Sequence, residues 1–423
     1  MRVLFVIFPH VSHLYPIVPL ARALRVTGHE VCVASHAGFA GADMPAAITA
    51  TGLTAVPLGS GEELPEAQKA LVAHRQSNSA AAREALAFDS RGDLDRRMVR
   101  NMLLGMFTLY YPVRADTGER WPMLDALVEF SRAWQPDLMI WDPLCPPAAI
   151  AAQVNGVPHG RFLWGLDSVG WIHGKQDPED DRFAQWLRPH LQRYGLAFSP
   201  EHLLGQWSLD LVPPGIQLPF NGLSIPIRNV PYTGACNLPD WLRARPARPR
   251  VVVSVGNHSL RDPEGMSGLP LMDILGKAAQ LDVELVATVD PEKLPAHALP
   301  DNVRAAGYVP LDVLLPGAAA VVHHGGGGTF AAAVAHRVPQ IIIPVPTWGE
   351  RVIGRHVQDQ GVGIVFDREG LAVDDLYLGI EQVVKDPAFA RGAEALHRQS
   401  LALPGPLEAV ALLERLTAGR SGH

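Results

Sequence analysis

The sequence predicts an α/β protein with two doubly wound, parallel-sheet domains, and three observations lead to this prediction. The chain has 423 residues, which is too long for a single compact core. Each half opens with an apolar run typical of a buried parallel strand, at residues 2–8 and 250–256. In the second half an apolar run is followed by His323-His324-Gly325-Gly326-Gly327-Gly328-Thr329 and then by a helix-forming run. This order indicates a strand, a glycine turn and a helix.

Further apolar runs bounded by turn residues predict the other strands. In the first half they lie at 29–34, 53–58, 136–143 and 158–164, with a helix closed by Gly28 and a mostly helical stretch at 59–133. In the second half they lie at 283–289, 303–309, 320–323, 340–344 and 362–366. Because 243–250 is rich in proline and arginine, we predict a linker there. The predicted N-terminal domain is 1–242, the C-terminal domain is 251–405, and a final helix at 406–423 can pack back on the N-terminal domain.

The composition excludes several classes of protein. Hydrophobic residues make up 48% and charged residues 19%, with a net charge of −7 and no Lys/Arg block, so a nucleic-acid partner is not expected. No apolar run reaches membrane-spanning length, and the opening run is short for a signal peptide, so no membrane partner is expected. The cysteines, Cys32, Cys145 and Cys236, lie far apart and form neither a C-x-x-C pattern nor a disulfide framework, which favours a cytoplasmic protein.

The glycine turn at 325–328 is a candidate anion site. Such a turn exposes backbone N–H groups, and the helix that follows directs the positive end of its dipole at the same place. A flexible loop without a ligand, or a tight packing turn, would fit the glycines alone. The flanking strand and helix, and an adjacent histidine that can donate to a phosphate oxygen, favour the phosphate interpretation.

Two titratable residues follow predicted strands of the first half. His13 lies in the loop after the first strand, and Asp142 lies at the end of the strand at 136–143. Ligands of doubly wound sheets bind beyond the carboxyl ends of the strands, and a histidine backed by a carboxylate is the arrangement of a general base. A hydrogen-bonded loop histidine and a turn aspartate before proline remain open as alternatives.

Other motifs speak against a metal or a different chemistry. Asp93-Leu94-Asp95 lies in a charged, helix-like run typical of a solvated face, and the pair His323-His324 has no third ligand at zinc spacing. Neither the G-x-x-x-x-G-K-[ST] nor the G-x-S-x-G motif occurs. We therefore expect no metal and no other cofactor.

At these residues the chain resembles, nearly end to end, the two-domain GT-B glycosyltransferases of antibiotic biosynthesis, which attach nucleotide-activated deoxysugars to polyketides and related aglycones. The resemblance is carried by residues 12–16, 18–24, 28–31, 136–144, 300–304 and 323–339. It is greatest to the macrolide aminosugar branch, which includes the erythromycin desosaminyltransferase. The resemblance implies two Rossmann-like doubly wound domains facing each other across a cleft, with the acceptor in the N-terminal domain and the nucleotide sugar in the C-terminal domain.

The resemblance also assigns roles to residues. It makes His13 the catalytic base and Asp142 the carboxylate that orients it. The donor contacts that it implies for the diphosphate are His324 and the backbone amides of Gly326, Gly328 and Thr329, and Gly325 is a further donor-binding residue. At the nucleobase it implies Tyr308, Val309 and Leu314. In the loop after the first strand of the second half, which faces the donor, it implies Ser254, Gly256 and Asn257.

The sugar and acceptor contacts are less defined. Many relatives carry Asp-Gln after the strand at 340–344, whereas this chain has Trp348-Gly349-Glu350-Arg351, with Glu350 and Arg351 at roughly those places. The change suits an unusual sugar and leaves its identity open. For the acceptor we expect contacts from Met102, Met106 and Trp164, although ordinary core packing explains the methionines equally well.

The expected function is inverting transfer of a deoxysugar from a nucleoside diphosphate to a hydroxyl of a polyketide or similar aglycone, with thymidine favoured over uridine. A nucleotide-sugar 2-epimerase and a non-catalytic nucleotide-sugar-binding partner protein are the alternatives. The expected partners are the TDP-sugar, a hydrophobic aglycone, a cytochrome-like auxiliary protein and a second copy in a homodimer.

Overall fold

Two parallel β-sheets organise the chain in a computed structural model, which describes residues 1–37, 43–59, 93–110, 122–175, 181–254, 271–294, 299–345 and 349–419. The first sheet has seven strands in the order β3-β2-β1-β4-β5-β6-β7, and the second has six in the order β10-β9-β8-β11-β12-β13. All their pairings are parallel. The predicted α/β fold class with two doubly wound sheets is confirmed.

The strands are β1 (Arg2–Val6), β2 (Glu30–His36), β3 (Thr54–Leu58), β4 (Leu138–Trp141), β5 (His159–Leu163), β6 (Ser208–Asp210), β7 (Ser224–Pro226), β8 (Arg250–Ser254), β9 (Glu284–Ala287), β10 (Val303–Ala305), β11 (Ala320–His323), β12 (Gln340–Ile342) and β13 (Gly363–Val365). The sequence did not predict β6 and β7, because each has only three residues and β7 is a largely exposed edge strand that ends in proline.

The helices are α1 (Val11–Leu14), α2 (Val18–Val26), α3 (Met44–Ala50), α4 (Asp93–Tyr110), α5 (Pro122–Trp134), α6 (Pro147–Val154), α7 (Ser168–His173), α8 (Arg182–Gln192), α9 (Glu201–Leu204), α10 (Leu271–Gly276), α11 (Leu311–Leu314), α12 (Gly327–Ala335), α13 (Glu350–Asp359), α14 (Val373–Lys385), α15 (Pro387–Leu401) and α16 (Pro406–Ala418). Single 3-10 turns occur at Tyr15–Ile17, Asp240–Leu242, Ala278–Gln280 and Pro291–Lys293.

The strands at the centre of each sheet are buried on both faces, as their continuous apolar sequences require. In β1 every residue after Arg2 is buried, and all four residues of β4 are buried. In the second sheet the residues of β8 alternate between two hydrophobic clusters, with Val251 and Val253 in one and Val252 in the other. This alternation places packed helices on both faces of the sheet.

The chain divides into two units, one from the N-terminus to Arg228 that also takes in Pro404–His423, and one at Asn229–Leu403. This division falls before the predicted linker at 243–250. The backbone N–H and the hydroxyl of Thr233 donate to Asp312 at 3.1 and 2.8 Å. The ring of Trp241 lies 4.8 Å from the guanidinium of Arg304. These contacts join the segment before β8 to the second unit.

The last helix belongs to the first unit. α16 packs against α2, with Val410 and Leu413 buried on its apolar face. Glu414 on the same helix lies 3.2 Å from Nε2 of His29, the residue before β2. The chain therefore returns to its N-terminal domain after completing the second sheet.

Candidate active and anion sites

His13 and Asp142 are brought together by the register of the first sheet. Val6 at the end of β1 pairs with Trp141 at the end of β4, so the residues that follow both strands lie at one edge. Nδ1 of His13 lies 2.6 Å from Oδ2 of Asp142, and both side chains are buried. Because an ionised carboxylate only accepts, Nδ1 carries the proton and donates to Asp142. This tautomer leaves the lone pair on Nε2, which is the atom a general base uses.

Backbone and side-chain donors fix the Asp142 carboxylate. The backbone N–H of Leu144 donates to Oδ1 at 2.8 Å, and the indole N–H of Trp164 donates to Oδ2 at 2.9 Å. The N–H of Asp142 itself donates to the carbonyl of Val6 at 2.9 Å, which anchors the turn to β1. The carboxylate is thus held in one orientation toward His13, and its charge is shared among several donors.

In the second domain the first of the two adjacent histidines is structural. His323, the last residue of β11, is fully buried. Its Nδ1 accepts the N–H of Gly325 at 3.1 Å, so its proton must be on Nε2, which donates to Oε1 of Gln340 at 3.0 Å. Burial, with a further contribution from His324, lowers the pKa of His323 to about 3. A neutral imidazole therefore joins the turn to the neighbouring strand.

This geometry corrects the expected role of Gly325. Its N–H points at His323 and is not available to a diphosphate. Its φ of +94° lies in the left-handed region that favours glycine, and an added Cβ would come 3.0 Å from both the Cβ and the carbonyl oxygen of Glu350. Gly325 therefore serves the turn, not the ligand.

The residues after Gly325 form the start of α12. The first intrahelical bond runs from the N–H of Phe330 to the carbonyl of Gly326 at 3.0 Å. The N–H groups of Gly327, Gly328 and Thr329 therefore precede the helix's own acceptors and point out of its N-terminus, where the helix dipole is positive. A Cβ on Gly328 would meet nothing within 4 Å. This end of the helix is an open surface with the properties of a phosphate site.

His324 lies beside these amides. It is half-buried, and a Cβ added to Gly326 would come 2.6 Å from its Nε2. Only glycine therefore allows the imidazole to lie over the backbone at this position. His324, Gly326, Gly328 and Thr329, the four residues expected at the diphosphate, thus lie together at the start of α12.

Glu350 and Arg351, expected near the sugar, open α13. Glu350 is buried and packs against Gly325, and Arg351 is half-buried. Their helix therefore begins beside the glycine turn. Trp348 lies outside the described residues.

The residues expected near the nucleobase divide into two groups. Tyr308 is 46% exposed, and its hydroxyl donates to the carbonyl of Thr233, so its ring offers a surface. Leu314 has no exposed area, and it packs with Val309 in a core cluster under α11 and α12. Leu314 therefore supports the domain from within, a correction to its expected contact with the base, and Val309, at 6% exposure, contributes mainly to the same packing.

Ser254, the last residue of β8, is buried and pairs with His323 across the sheet. It thus ends its strand beside the glycine turn. Gly256 and Asn257 of the same predicted loop lie outside the described residues.

The residues expected at the acceptor lie on two elements of the first domain. Met102 and Met106 are one helical turn apart on α4, which packs against α7. Met106 is 8% exposed and packs in the interior, whereas Met102 is half-buried. Trp164 follows β5 and is half-buried, with its indole N–H on Asp142. The structure therefore brings Trp164 into contact with the His13–Asp142 pair.

Among the described residues, no group of three or more His, Cys, Asp or Glu side chains is arranged to hold a metal ion. Within the same part of the chain, no helix is long and apolar enough to cross a membrane.

Gln340 is the contact that sequence reasoning missed. It is fully buried in β12, where its neighbours Ile341 and Ile342 are apolar. A polar residue in an otherwise apolar central strand needs a hydrogen-bond partner, and this was the available signal. The sequence could not identify the partner as His323, which is 17 residues away.

Comparison with solved structures identifies the class of enzyme to which these two domains belong. The chain superimposes on the glycosyltransferase VinC, solved in complex with dTDP, with a TM-score of 0.82 and 35% identity over 99% of this chain and 100% of the other. It also matches the spinosyn forosaminyltransferase SpnP, with a TM-score of 0.78 and 32% identity over 99% of both chains. The protein is a GT-B glycosyltransferase.

The family is defined by sequence. The model described as Erythromycin biosynthesis protein CIII-like, N-terminal domain, matches residues 22–256, and the corresponding C-terminal model matches 272–416. The chain belongs to this family. It is 37% identical to the aclacinomycin-T 2-deoxy-L-fucose transferase of Streptomyces galilaeus, over 99% of this chain and 96% of the relative. It is 36% identical to the 3-alpha-mycarosylerythronolide B desosaminyl transferase of Saccharopolyspora erythraea, over 99% of both. The expected resemblance is confirmed, and the enzyme is a glycosyltransferase of the antibiotic-biosynthesis class that includes these deoxysugar transferases.

Proposed function

We propose that this enzyme transfers a deoxysugar, with inversion, from a TDP-sugar to a hydroxyl group of a polyketide or similar natural-product aglycone. The observation that carries the proposal is the 2.6 Å contact between Nδ1 of His13 and Asp142, which leaves Nε2 of His13 as a base. The relatives named above are deoxysugar transferases, and VinC was solved with dTDP, which supports a thymidine donor. The spinosyn rhamnosyltransferase SpnG, 26% identical to this chain, was likewise solved in complex with thymidine diphosphate.

In the proposed reaction, Nε2 of His13 takes the proton from the acceptor hydroxyl. The acceptor oxygen forms a bond to the anomeric carbon from the face opposite the diphosphate, and the bond between that carbon and the diphosphate oxygen breaks. The configuration at the anomeric carbon is therefore inverted. The electron pair of the broken bond leaves with the diphosphate, and Asp142 stabilises the imidazolium that His13 becomes.

On the donor side, we propose that the N-terminus of α12 receives the diphosphate. The N–H groups of Gly328 and Thr329, with His324 beside them, would stabilise the charge that develops on the leaving group, normally a large term in such catalysis. Glu350 and Arg351 at the start of α13 would contact the sugar, and the exposed ring of Tyr308 would contact the base.

This mechanism assigns the leaving-group charge to backbone amides and an imidazole, and we propose that it needs no divalent metal. Transfer should therefore proceed at an unchanged rate after dialysis against EDTA. Loss of activity on chelation, restored by added Mg²⁺ or Mn²⁺, would contradict this part of the proposal.

The decisive test of the base is replacement of His13. His13→Ala should lower kcat by roughly 100-fold or more, because general-base catalysis contributes at least that much. Binding of TDP by the second domain, measured by calorimetry, should be unchanged and serves as the control for folding. Transfer at the wild-type rate by this variant would refute the role of His13 as the catalytic base.

A donor-only incubation separates transfer from epimerisation. We expect the TDP-sugar to remain unisomerised when no acceptor is present. When the acceptor is added, the glycosylated product, analysed by NMR, should carry the anomeric configuration opposite to that of the donor. An isomerised donor would instead identify a nucleotide-sugar 2-epimerase.

The proposed partners are a hydrophobic aglycone, a cytochrome-like auxiliary protein and a second copy of the chain. Turnover by the purified chain alone, at the rate reached with an auxiliary protein added, would remove the need for a helper. Sedimentation of the same preparation would test the homodimer. Cys32 and Cys145 are buried free thiols, and Cys236 is an exposed one, which suits the cytoplasmic location that we propose.

A further inference from the structure

The Asp142 carboxylate shares one oxygen between two side chains. Oδ2 accepts the Nδ1–H of His13 at 2.6 Å and the indole N–H of Trp164 at 2.9 Å. A second donor on the same oxygen withdraws charge from it and restricts the rotation of the carboxylate. Trp164 therefore acts on the atom that orients the base, although the indole does not contact His13 through a hydrogen bond.

The ring of Trp164 also limits the position of the imidazole. Its centroid lies 4.2 Å from that of His13, with the two planes at 66°, and the ring of Phe8 lies 4.6 Å from His13. The imidazole thus packs against two aromatic rings, which restrict the direction of its Nε2. His10, whose ring centroid is 6.4 Å from that of His13, is a further titratable side chain that faces it.

The fold explains why a residue after β5 can reach this pair. β4 and β5 are neighbours in the first sheet, with Trp141 opposite Arg161. Asp142 follows β4 directly, and Trp164 follows β5 directly, so both side chains project from adjacent strand ends. Tryptophan combines the length to span this gap with a single N–H donor.

We propose that Trp164 is a positioning residue for the reaction, holding the Asp142 carboxylate and the His13 imidazole in the arrangement in which Nε2 can accept the acceptor's proton. This inference rests on the function proposed above. It gives Trp164 a role different from the acceptor contact that the sequence predicts. A positioning residue changes the rate of the chemical step, whereas an acceptor contact changes KM.

The test is Trp164→Phe, which removes the N–H and keeps an aromatic ring. We expect kcat to fall about 10-fold, as misorientation of a catalytic group does, with the acceptor KM within about twofold of wild type. The acidic limb of the pH–kcat profile should move to higher pH. Without the indole donor, Oδ2 carries more negative charge and favours the protonated form of His13.

The matched control is Trp207→Phe. Trp207 lies in the same domain and is buried, and among the described residues its Nε1 has no hydrogen-bond partner. This control reports the effect of a smaller ring alone, and it should leave the pH profile unchanged. If Trp164→Phe does not fold, Trp164→Leu also removes the N–H donor and can be compared with the wild type in the same assays. Circular dichroism checks that each variant is folded.

A wild-type kcat and pH profile in Trp164→Phe, with a raised acceptor KM, would overturn the inference and return Trp164 to the acceptor site. An identical drop in kcat in Trp207→Phe would also overturn it, because the effect would then be a general loss of packing. The parallel His13→Ala assay keeps the two proposals apart. An inactive His13 variant beside a normal Trp164 variant refutes only the positioning role, whereas an active His13 variant refutes the assignment of His13 as the base, on which the positioning role rests.

Discussion

The neutral, buried state of His323 makes a quantitative prediction for the variant His323→Asn. Asparagine places its Oδ1 near the position of the histidine Nδ1, so it can still accept the N–H of Gly325. It cannot reach Gln340 as Nε2 does at 3.0 Å. At pH 7.5 we expect the variant to be less stable by about 2 kcal/mol, the typical cost of leaving a buried polar group without its partner.

The difference should shrink as the pH falls. His323 has a pKa of about 3 in the folded protein, and an unfolded histidine has one of about 6.5. Above pH 6.5 both states are neutral and the stability of the wild type is intact. As the pH falls from 6.5 toward 3, the unfolded chain binds a proton that the folded chain does not, so the wild type loses stability. The loss is about 1.4 kcal/mol per pH unit, or about 2 kcal/mol at pH 5.

Asparagine does not titrate, so the variant lacks this loss. The wild-type advantage of about 2 kcal/mol at pH 7.5 should therefore nearly vanish at pH 5. Urea unfolding of both proteins at pH 7.5, 6.5 and 5 measures the free energies of unfolding. Both proteins contain the other buried histidines, such as His190, whose pKa burial lowers to about 4. The contribution of these residues to the pH dependence therefore cancels in the difference between the two free energies. A difference that stays constant with pH would refute the neutral, hydrogen-bonded assignment of His323.

Two further predictions concern the second domain. Gly325→Ala should lower the free energy of unfolding by about 2–3 kcal/mol, because alanine is strained at positive φ and its Cβ would meet Glu350. At Gly328 an added Cβ meets nothing within 4 Å, so Gly328→Ala should leave the urea midpoint unchanged or slightly raised. Asp312→Ala should lower the stability of the same domain by about 1–3 kcal/mol, since it removes the acceptor for the N–H and hydroxyl of Thr233. Equal midpoints for the two glycine variants, or a wild-type midpoint for Asp312→Ala, would contradict these assignments.

The sequence by itself determined the elements that depend on neighbouring residues. Continuous apolar runs predicted β1, β8 and β11, because a strand buried on both faces must be apolar throughout. The four glycines between a strand and a helix predicted the turn, since glycine tolerates the backbone conformation that such a turn needs. His13 and Asp142 could be proposed together because both follow parallel strands, whose carboxyl ends share one edge of a sheet.

Tertiary structure alone decided which atoms pair. Adjacent histidines look alike in a sequence, but strand register places His323 beside Gln340 and leaves His324 over Gly326. The bond from Trp164 to Asp142 likewise depends on β4 and β5 being neighbours, and so does not follow from the local pattern around either residue. Local periodicity is set by the few residues around a position, whereas a hydrogen bond between distant side chains needs the register and packing of whole elements to be fixed first.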